Sequence, residues 1–326
     1  MQSRRNVIGG ALAGVAASRL GRAFAQTVDR QVHVIVGFAA GGGTDVSARL
    51  FAERIRGDYT SVAIVENKVG VAGRLSVEYV KNAPPDGAVM LFTSDFPITL
   101  YPNIYKQLSY DPLRDLVAVA PLTKSSLVLS VGPRVPKEVT NVRGFLDWCG
   151  AHPDQATIAT TGAGGTPHFA GVMLAKESGV PLVSVHYRGG APALSDLVGG
   201  HVAASFNPGS EAIALAQGGQ IRMLGVANPR RSRFLPDTPT LREQGFDIAF
   251  DTWTGVFLPA KTPAHIVAAL HATLEKAVNN PELIEAQARL GNEMTFMPQE
   301  QFAASIKPGI ERWAPIVAAS GFVAED

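Results

Sequence analysis

The sequence predicts an α/β protein of two lobes, each a mixed or parallel sheet flanked by helices, hinged like a clamshell. Three observations carry this. From Gln31 onward, short apolar strands alternate with amphipathic helices, the pattern of sheets with right-handed crossovers. Two glycine-rich turns, Gly37–Gly43 and Gly162–Gly165, each join a strand to a helix, one in each half. Two long extended stretches, Leu116–Val131 and Asp247–Leu258, interrupt the alternation. Each is long enough to run from one lobe to the other.

The first residues are a leader. Ser3-Arg4-Arg5-Asn6 is basic, Val7–Ser18 is a short apolar run, and Ala23-Phe24-Ala25 is an A-x-A cleavage site. The paired arginines, with Arg19 and Arg22 beyond, point to twin-arginine export to the periplasm. An ordinary secretory signal with a chance arginine pair is the plainer alternative. Cleavage near Ala25 removes four arginines and no acids, taking the net charge from +1 to −3. That balance argues against a nucleic-acid partner. No later stretch is long and apolar enough to span a bilayer, so the mature chain is expected not to insert in a membrane.

The remaining 301 residues suit two lobes, expected at 26–124 plus 251–326 and at 125–250. The run Val32–Phe38 is a strand ending in glycines; Thr44 or Asp45 is its natural helix N-cap. Ala63–Glu66 is a second strand, Leu75–Lys81 a helix, and Val89–Thr93 a third strand after the break Pro84-Pro85-Asp86-Gly87. The crossings fall near 122–128 and 249–255. Between them come helix Val142–Ala151, strand Thr157–Thr160, helix Pro167–Ser178, strand Leu182–His186, helix Ala191–Val198, and strands Ala203–Phe206 and Ile221–Val226. Two helices close the chain. Ala264–Asn279 carries Ile266, Leu270, Leu274 and Ala277 on one stripe; Gln299–Ser320 carries Phe302, Ile306, Trp313 and Val317. Pro308 and Pro315 should kink or break the last one. The lone Cys149 has no internal partner and no nearby His, and reads as a small buried hydrophobe.

Each glycine loop presents backbone N–H groups at the positive end of a helix dipole, which is an anion site. In the second loop Thr166 is the expected N-cap and Pro167 the first helical residue. Two such ends facing across a cleft suit a dicarboxylate, or one carboxylate and a second polar group. Neither loop is a G-x-G-x-x-G, and no G-x-x-x-x-G-K-[ST] occurs, so a nucleotide is disfavoured. A glycine loop alone is equally a tight turn; it is the pair that argues for binding. His168 sits in the first turn of the second loop's helix, where it either donates to a ligand or packs locally. Arg188 is placed to pair with a carboxylate or to form a salt bridge. Ser94 and Asn207 lie at strand ends on the cleft edge, and Trp253 in the returning crossover. No nucleophile–base–orienter set and no metal-ligand spacing occurs; Ser210 lacks the G-x-S-x-G elbow. No cofactor or metal is expected.

At the level of motifs the chain resembles the substrate-binding receptors of tripartite tricarboxylate transporters, the Bug receptors. Their V-P-F-P-A-G-G-G-[ST]-D is Val36-Gly37-Phe38-Ala39-Ala40-Gly41-Gly42-Gly43-Thr44-Asp45 here, and their E-N-R-P-G-A-G-G is Glu66–Gly73. A-P-D-G-Y-T-L, L-x-Y-D-P, S-x-G-x-G-S-T-P-H-L and V-P-Y-[KR]-G-x-A-P-A-L have counterparts at Pro84–Met90, Leu108–Pro112, Thr160–Phe169 and Val185–Leu194. The resemblance implies a type II periplasmic binding protein, a Venus flytrap closing on a small organic acid. It also implies that the acid is held by Phe38, Ala40, Gly43, Thr44 and Asp45 on one loop and by Thr160, Gly164, Gly165, Thr166 and His168 on the other. Asp45 is there better suited to capping or holding water than to meeting an anion. The expected protein is a monomeric, non-catalytic receptor for a di-, tri- or aromatic carboxylate that serves membrane permease subunits. An exported cofactor-dependent enzyme and a receptor feeding a sensor kinase are the alternatives. Gly37 and Ala39 replace two prolines of the family pattern, and Gly165 a common Ser, which should loosen the first loop and enlarge the pocket.

Overall fold

A computed structural model describes residues 27–250, 252–322 and 324; the leader expected over 1–25 lies outside them. In chain order the strands are β1 (Val32–Val36), β2 (Ala63–Asn67), β3 (Val89–Ser94), β4 (Leu116–Ser125), β5 (Leu127–Val131) and β6 (Thr157–Thr160). They continue with β7 (Val183–His186), β8 (Ala204–Pro208), β9 (Arg222–Val226), β10 (Thr252–Pro259) and β11 (Asn292–Met294). The helices are α1 (Gly43–Arg54), α2 (Arg74–Lys81), α3 (Phe96–Thr99), α4 (Val142–Ala151) and α5 (Thr166–Ser178). After them come α6 (Gly190–Val198), α7 (Gly209–Gln217), α8 (Ala264–Val278), α9 (Pro281–Arg289) and α10 (Gln299–Ser320).

The strands form two sheets, ordered β11-β4-β10-β3-β1-β2 and β7-β6-β8-β5-β9. In the first, β1 is parallel to β2 and β3, while β10 runs antiparallel to β3 and β4. In the second, β6 is parallel to β7 and β8, while β5 runs antiparallel to β8 and β9. The antiparallel pairs belong to the crossing strands, which enter each sheet from the other lobe. Central strands are apolar because both faces are covered: Val32, Ile35 and Val36 of β1 have no exposed surface, nor do Val128, Leu129 and Val131 of β5. Ser126 alone separates β4 from β5, so the chain changes sheets within one residue. It returns after Phe250, whose N–H donates to Ala227 O at 2.8 Å.

Helix α10 makes a third connection between the lobes. Helix α10 starts on the first sheet, where Gln299 Nε2 donates to Ala118 O at 2.8 Å and Phe302 packs on Phe257. It ends on the second lobe, where Trp313 meets Phe169 of α5 with ring centroids 6.0 Å apart. It runs unbroken through Pro308 and Pro315. Both prolines are exposed, opposite the buried stripe of Phe302, Ile306, Trp313 and Val317. The carbonyls they deprive of partners can be hydrated there, and a helix curves readily with its convex side toward solvent. Cys149 is buried and free, and burial pushes its thiol up to about 12, so it remains an inert hydrophobe.

Candidate functional site

The first loop leaves β1 at Val36. Gly37 packs so closely that a Cβ there would lie 2.5 Å from Ser76 Oγ and 2.9 Å from Gly73 Cα. The residue that replaces a proline is therefore a point of close backbone approach. Gly41 has φ +83°, a conformation that glycine adopts without strain. The N-cap of α1 is Gly42, with no side-chain cap, so Thr44 and Asp45 lie inside the first turn instead of at its cap. Asp45 reaches back: its buried carboxylate accepts from Gly41 N at 2.9 Å, from Asn67 Nδ2 at 2.8 Å and from Arg49 at 2.9 and 3.0 Å. Asn67 Nδ2 also donates to Phe38 O at 2.9 Å. Asp45 thus braces the loop from behind.

Burial raises the Asp45 pKa, but the Arg49, Gly41 and Asn67 hydrogen bonds outweigh it and hold the group below its ordinary value. A lowered folded-state pKa means that the contribution is present above the unfolded value of 3.8 and is lost as pH falls through the lower folded value. Asp45→Ala should cost about 1.5–3 kcal/mol at neutral pH, the range for losing hydrogen bonds to a charged group. Urea unfolding at pH 7 and near pH 3 checks it: the difference between variant and wild type should shrink in acid.

The second loop is built on the same plan. Gly164 has φ +70°, and its N–H donates to His168 Nδ1 at 3.0 Å. His168 is buried against His186, Phe169 and Phe322, and burial lowers its pKa to about 4, so the ring stays neutral as an acceptor. It braces the second loop as Asp45 braces the first. The N-cap of α5 is Gly165, again without a side-chain cap, and Thr166 is the first helical residue. Thr160 Oγ1 lies 2.8 Å from His186 Nδ1, below the loop.

The lobes touch through these loops. Ala39 N donates to Arg188 O at 3.3 Å, Thr166 Oγ1 donates to Asp95 Oδ2 at 3.4 Å, and Gly43 N donates to Glu211 Oε1 at 2.7 Å. Between them lies a cavity of about 60 Å³, lined by Phe38, Gly43, Thr44, Ser94, Thr166, Gly190, Ser210 and Trp253 among others. Four helices start at its wall: α1, α5, α6 and α7, with N-caps Gly42, Gly165, Gly189 and Pro208, none bearing a side-chain cap. Elsewhere, α4 and α9 are capped by the side chains of Asn141 and Asn280, while α2, α8 and α10 also start without a side-chain cap. Each uncapped helix start offers orphan N–H groups and about half a positive charge. Ser94 Oγ is buried at the wall with no hydrogen-bond partner among the described residues. The lining residues include no Lys, Arg or His, and two acids, Asp95 and Glu211. Any attraction that the wall offers an anion therefore comes from backbone dipoles and hydroxyls.

Of the expected residues, Phe38, Gly43, Thr44, Ser94 and Thr166 line this cavity. Asp45, His168 and Gly164 hold the loops, and Asn207 reaches the cavity through Glu211, donating to it at 2.8 Å. Ala40, Thr160 and Gly165 stand outside the lining. Arg188 faces a larger outer cavity of about 700 Å³ with Arg74, whose guanidinium lies 3.8 Å over the Tyr105 ring. The helix starts at Gly190 and Gly209, and Glu211, were missed. The only sequence signal was the junctions Tyr187–Ala191 and Asn207–Glu211, each a strand end followed by glycine. Among the described residues no cluster of potential metal ligands forms, and no helix is long and apolar enough to cross a membrane.

Two α/β lobes, sheet-to-sheet crossovers and a cleft walled by helix N-termini define a periplasmic binding protein. Its architecture matches the solved periplasmic binding protein BugD, with a TM-score of 0.86 at 27% identity over 91% of this chain and 100% of that one. MatC from Rhodopseudomonas palustris, solved with bound malate, gives a TM-score of 0.82 at 29% identity over 88% and 99%. A protein from the tcbD–tcbE intergenic region of Pseudomonas sp. strain P51 is 30% identical over 96% of this chain and 94% of its own. The profile of the tripartite tricarboxylate transporter family receptor matches residues 47–322, and the chain belongs to that family.

Proposed function

We propose that this receptor captures a small organic acid in the cleft and presents it, as a monomer without catalysis, to the permease subunits of a tripartite transporter. The observation that carries this is the set of four uncapped helix starts around one cation-free cavity. A carboxylate gains there from oriented N–H groups and dipoles that need no reorganisation. The malate found in MatC supports the same solute class here. We assign ligand contacts to Phe38, Gly43, Thr44, Ser94 and Thr166, and bracing of the two loops to Asp45 and His168. Arg74 and Arg188 in the outer cavity draw the anion inward. The lobes divide at Ser126 and after Phe250, with α10 strapped across both, and closure on the solute is a hinge motion about those points. Export by the twin-arginine route with cleavage near Ala25 places the receptor in the periplasm.

A thermal-shift screen of organic acids and neutral sugars tests the reading. A carboxylate at a hundred times its dissociation constant should stabilise the protein by about 2.7 kcal/mol. Sugars that raise the melting temperature while every carboxylate leaves it unmoved would refute the assignment.

A further inference from the structure

The solute site has two chambers. The inner cavity, of about 60 Å³, and the outer one, of about 700 Å³, share Phe38 and Thr161 in their walls. One water-sized group needs about 10–15 Å³, so the inner cavity takes a carboxylate and little more. The rest of any larger acid extends past Phe38 and Thr161 into the outer chamber. That chamber has a different chemistry. Its lining carries two arginines and, among the described residues, no Asp or Glu. Arg74 belongs to the first lobe and Arg188 to the second, where Arg188 O accepts from Ala39 N beside the first loop. Arg74 is held in advance: its guanidinium lies 3.8 Å over the ring of buried Tyr105, and its Nε donates to Val71 O at 3.3 Å. Its two terminal nitrogens make no hydrogen bond among the described residues, and neither arginine is in an ion pair there. The loop before Arg74 is strained and pinned. Val71 and Ala72 have φ of +40° and +54°, and Tyr101 Oη donates to Ala72 O at 2.7 Å. A guanidinium fixed by stacking, with its outer N–H groups open, is a ready bidentate partner for a carboxylate. Between the two chambers the wall is apolar at Phe38, and Val71 and Phe322 continue it outward.

We propose that the outer chamber is a second anion subsite, in which Arg74 and Arg188 together hold the far carboxylate of a dicarboxylate. The near carboxylate sits at the helix starts of the inner cavity, and an apolar span passes Phe38. Because the two arginines come from different lobes, the far carboxylate also ties the lobes together. This rests on the receptor reading above and names its solute class.

Matched pairs that exchange one carboxylate for a carboxamide test it. They are malate and its monoamides, adipate and adipamate, and terephthalate and terephthalamate, titrated calorimetrically into wild type, Arg74→Gln and Arg188→Gln. Wild type should bind the dicarboxylate of its best pair at least tenfold more tightly than the monoamide. Each variant should lower that ratio at least threefold. If Arg74→Gln does not fold, Arg188→Gln decides alone, since the Arg188 side chain makes no hydrogen bond among the described residues. Wild type without the tenfold preference, or a folded variant that keeps the ratio within threefold of wild type, overturns the two-arginine subsite. If no member of any pair binds while another acid does in the thermal-shift screen, this inference fails and the receptor reading stands. If no acid binds in either experiment, the receptor reading fails as well.

Discussion

Trp313→Ala is expected to destabilise the protein by about 3–5 kcal/mol, the range for truncating a buried aromatic. Trp313 is 1% exposed. Its indole stacks on Phe250, with centroids 5.2 Å apart and planes inclined by 15°, and meets Phe169 at 6.0 Å. These partners sit on different elements: Phe169 on α5 in the second lobe, Phe250 in the segment leading into β10. The indole therefore fills a space that no single element can close by relaxing, and the cavity term should be large. Urea denaturation followed by far-UV circular dichroism measures it. The midpoint should fall with the slope preserved if the two lobes unfold together. A loss below about 1 kcal/mol would mean that the site collapses onto itself and that α10 contributes little to holding the lobes.

Gly43→Ala is expected to weaken solute binding by about 5–150-fold, from an overpacking cost of about 1–3 kcal/mol placed on the closed cleft. A Cβ at Gly43 would stand 2.5 Å from Ser210 Oγ and 3.1 and 3.2 Å from Glu211 atoms, all on the opposite lobe. Within its own lobe Gly43 is the first residue of α1, where Ala is a better helix former than Gly. The penalty thus falls on closure and not on folding. The two effects separate in one pair of measurements: the unliganded melting temperature should stay near wild type while calorimetry shows the loss of affinity. Unchanged affinity would mean that the lobes do not need the Gly43–Glu211 contact to hold a solute.

The sequence was most legible where structure is local. The run Val32–Phe38 and the glycines after it marked a strand–loop–helix junction, and the structure has β1, the loop and α1 there. The N-caps were misplaced by one to three residues in both loops. Thr44, Asp45 and Thr166 have capping chemistry, yet Gly42 and Gly165 occupy the cap positions. Propensity favours a hydroxyl or carboxylate cap; a cleft that must leave its N–H groups open favours glycine. His168 is placed by its neighbours: the imidazole turns inward because Gly164 N–H, His186 and Phe322 surround it. The prolines of α10 misled for the complementary reason, since a local rule about broken hydrogen bonds ignores which side of the helix faces solvent.

By itself, the sequence determined the two glycine loops, the family motifs and most of the strands and helices, but α3, α7, α9 and β11 are absent from its reading. What it determined follows from periodicity, turn chemistry and residue order over short spans. Only the tertiary structure decided which helix starts share one cavity, that its lining has no Lys, Arg or His, and that Glu211 of one lobe accepts from Gly43 N of the other. Gly43 and Glu211 are 168 residues apart and belong to different lobes. Their contact depends on how two separately formed sheets are brought face to face, and no local pattern in either segment encodes that approach.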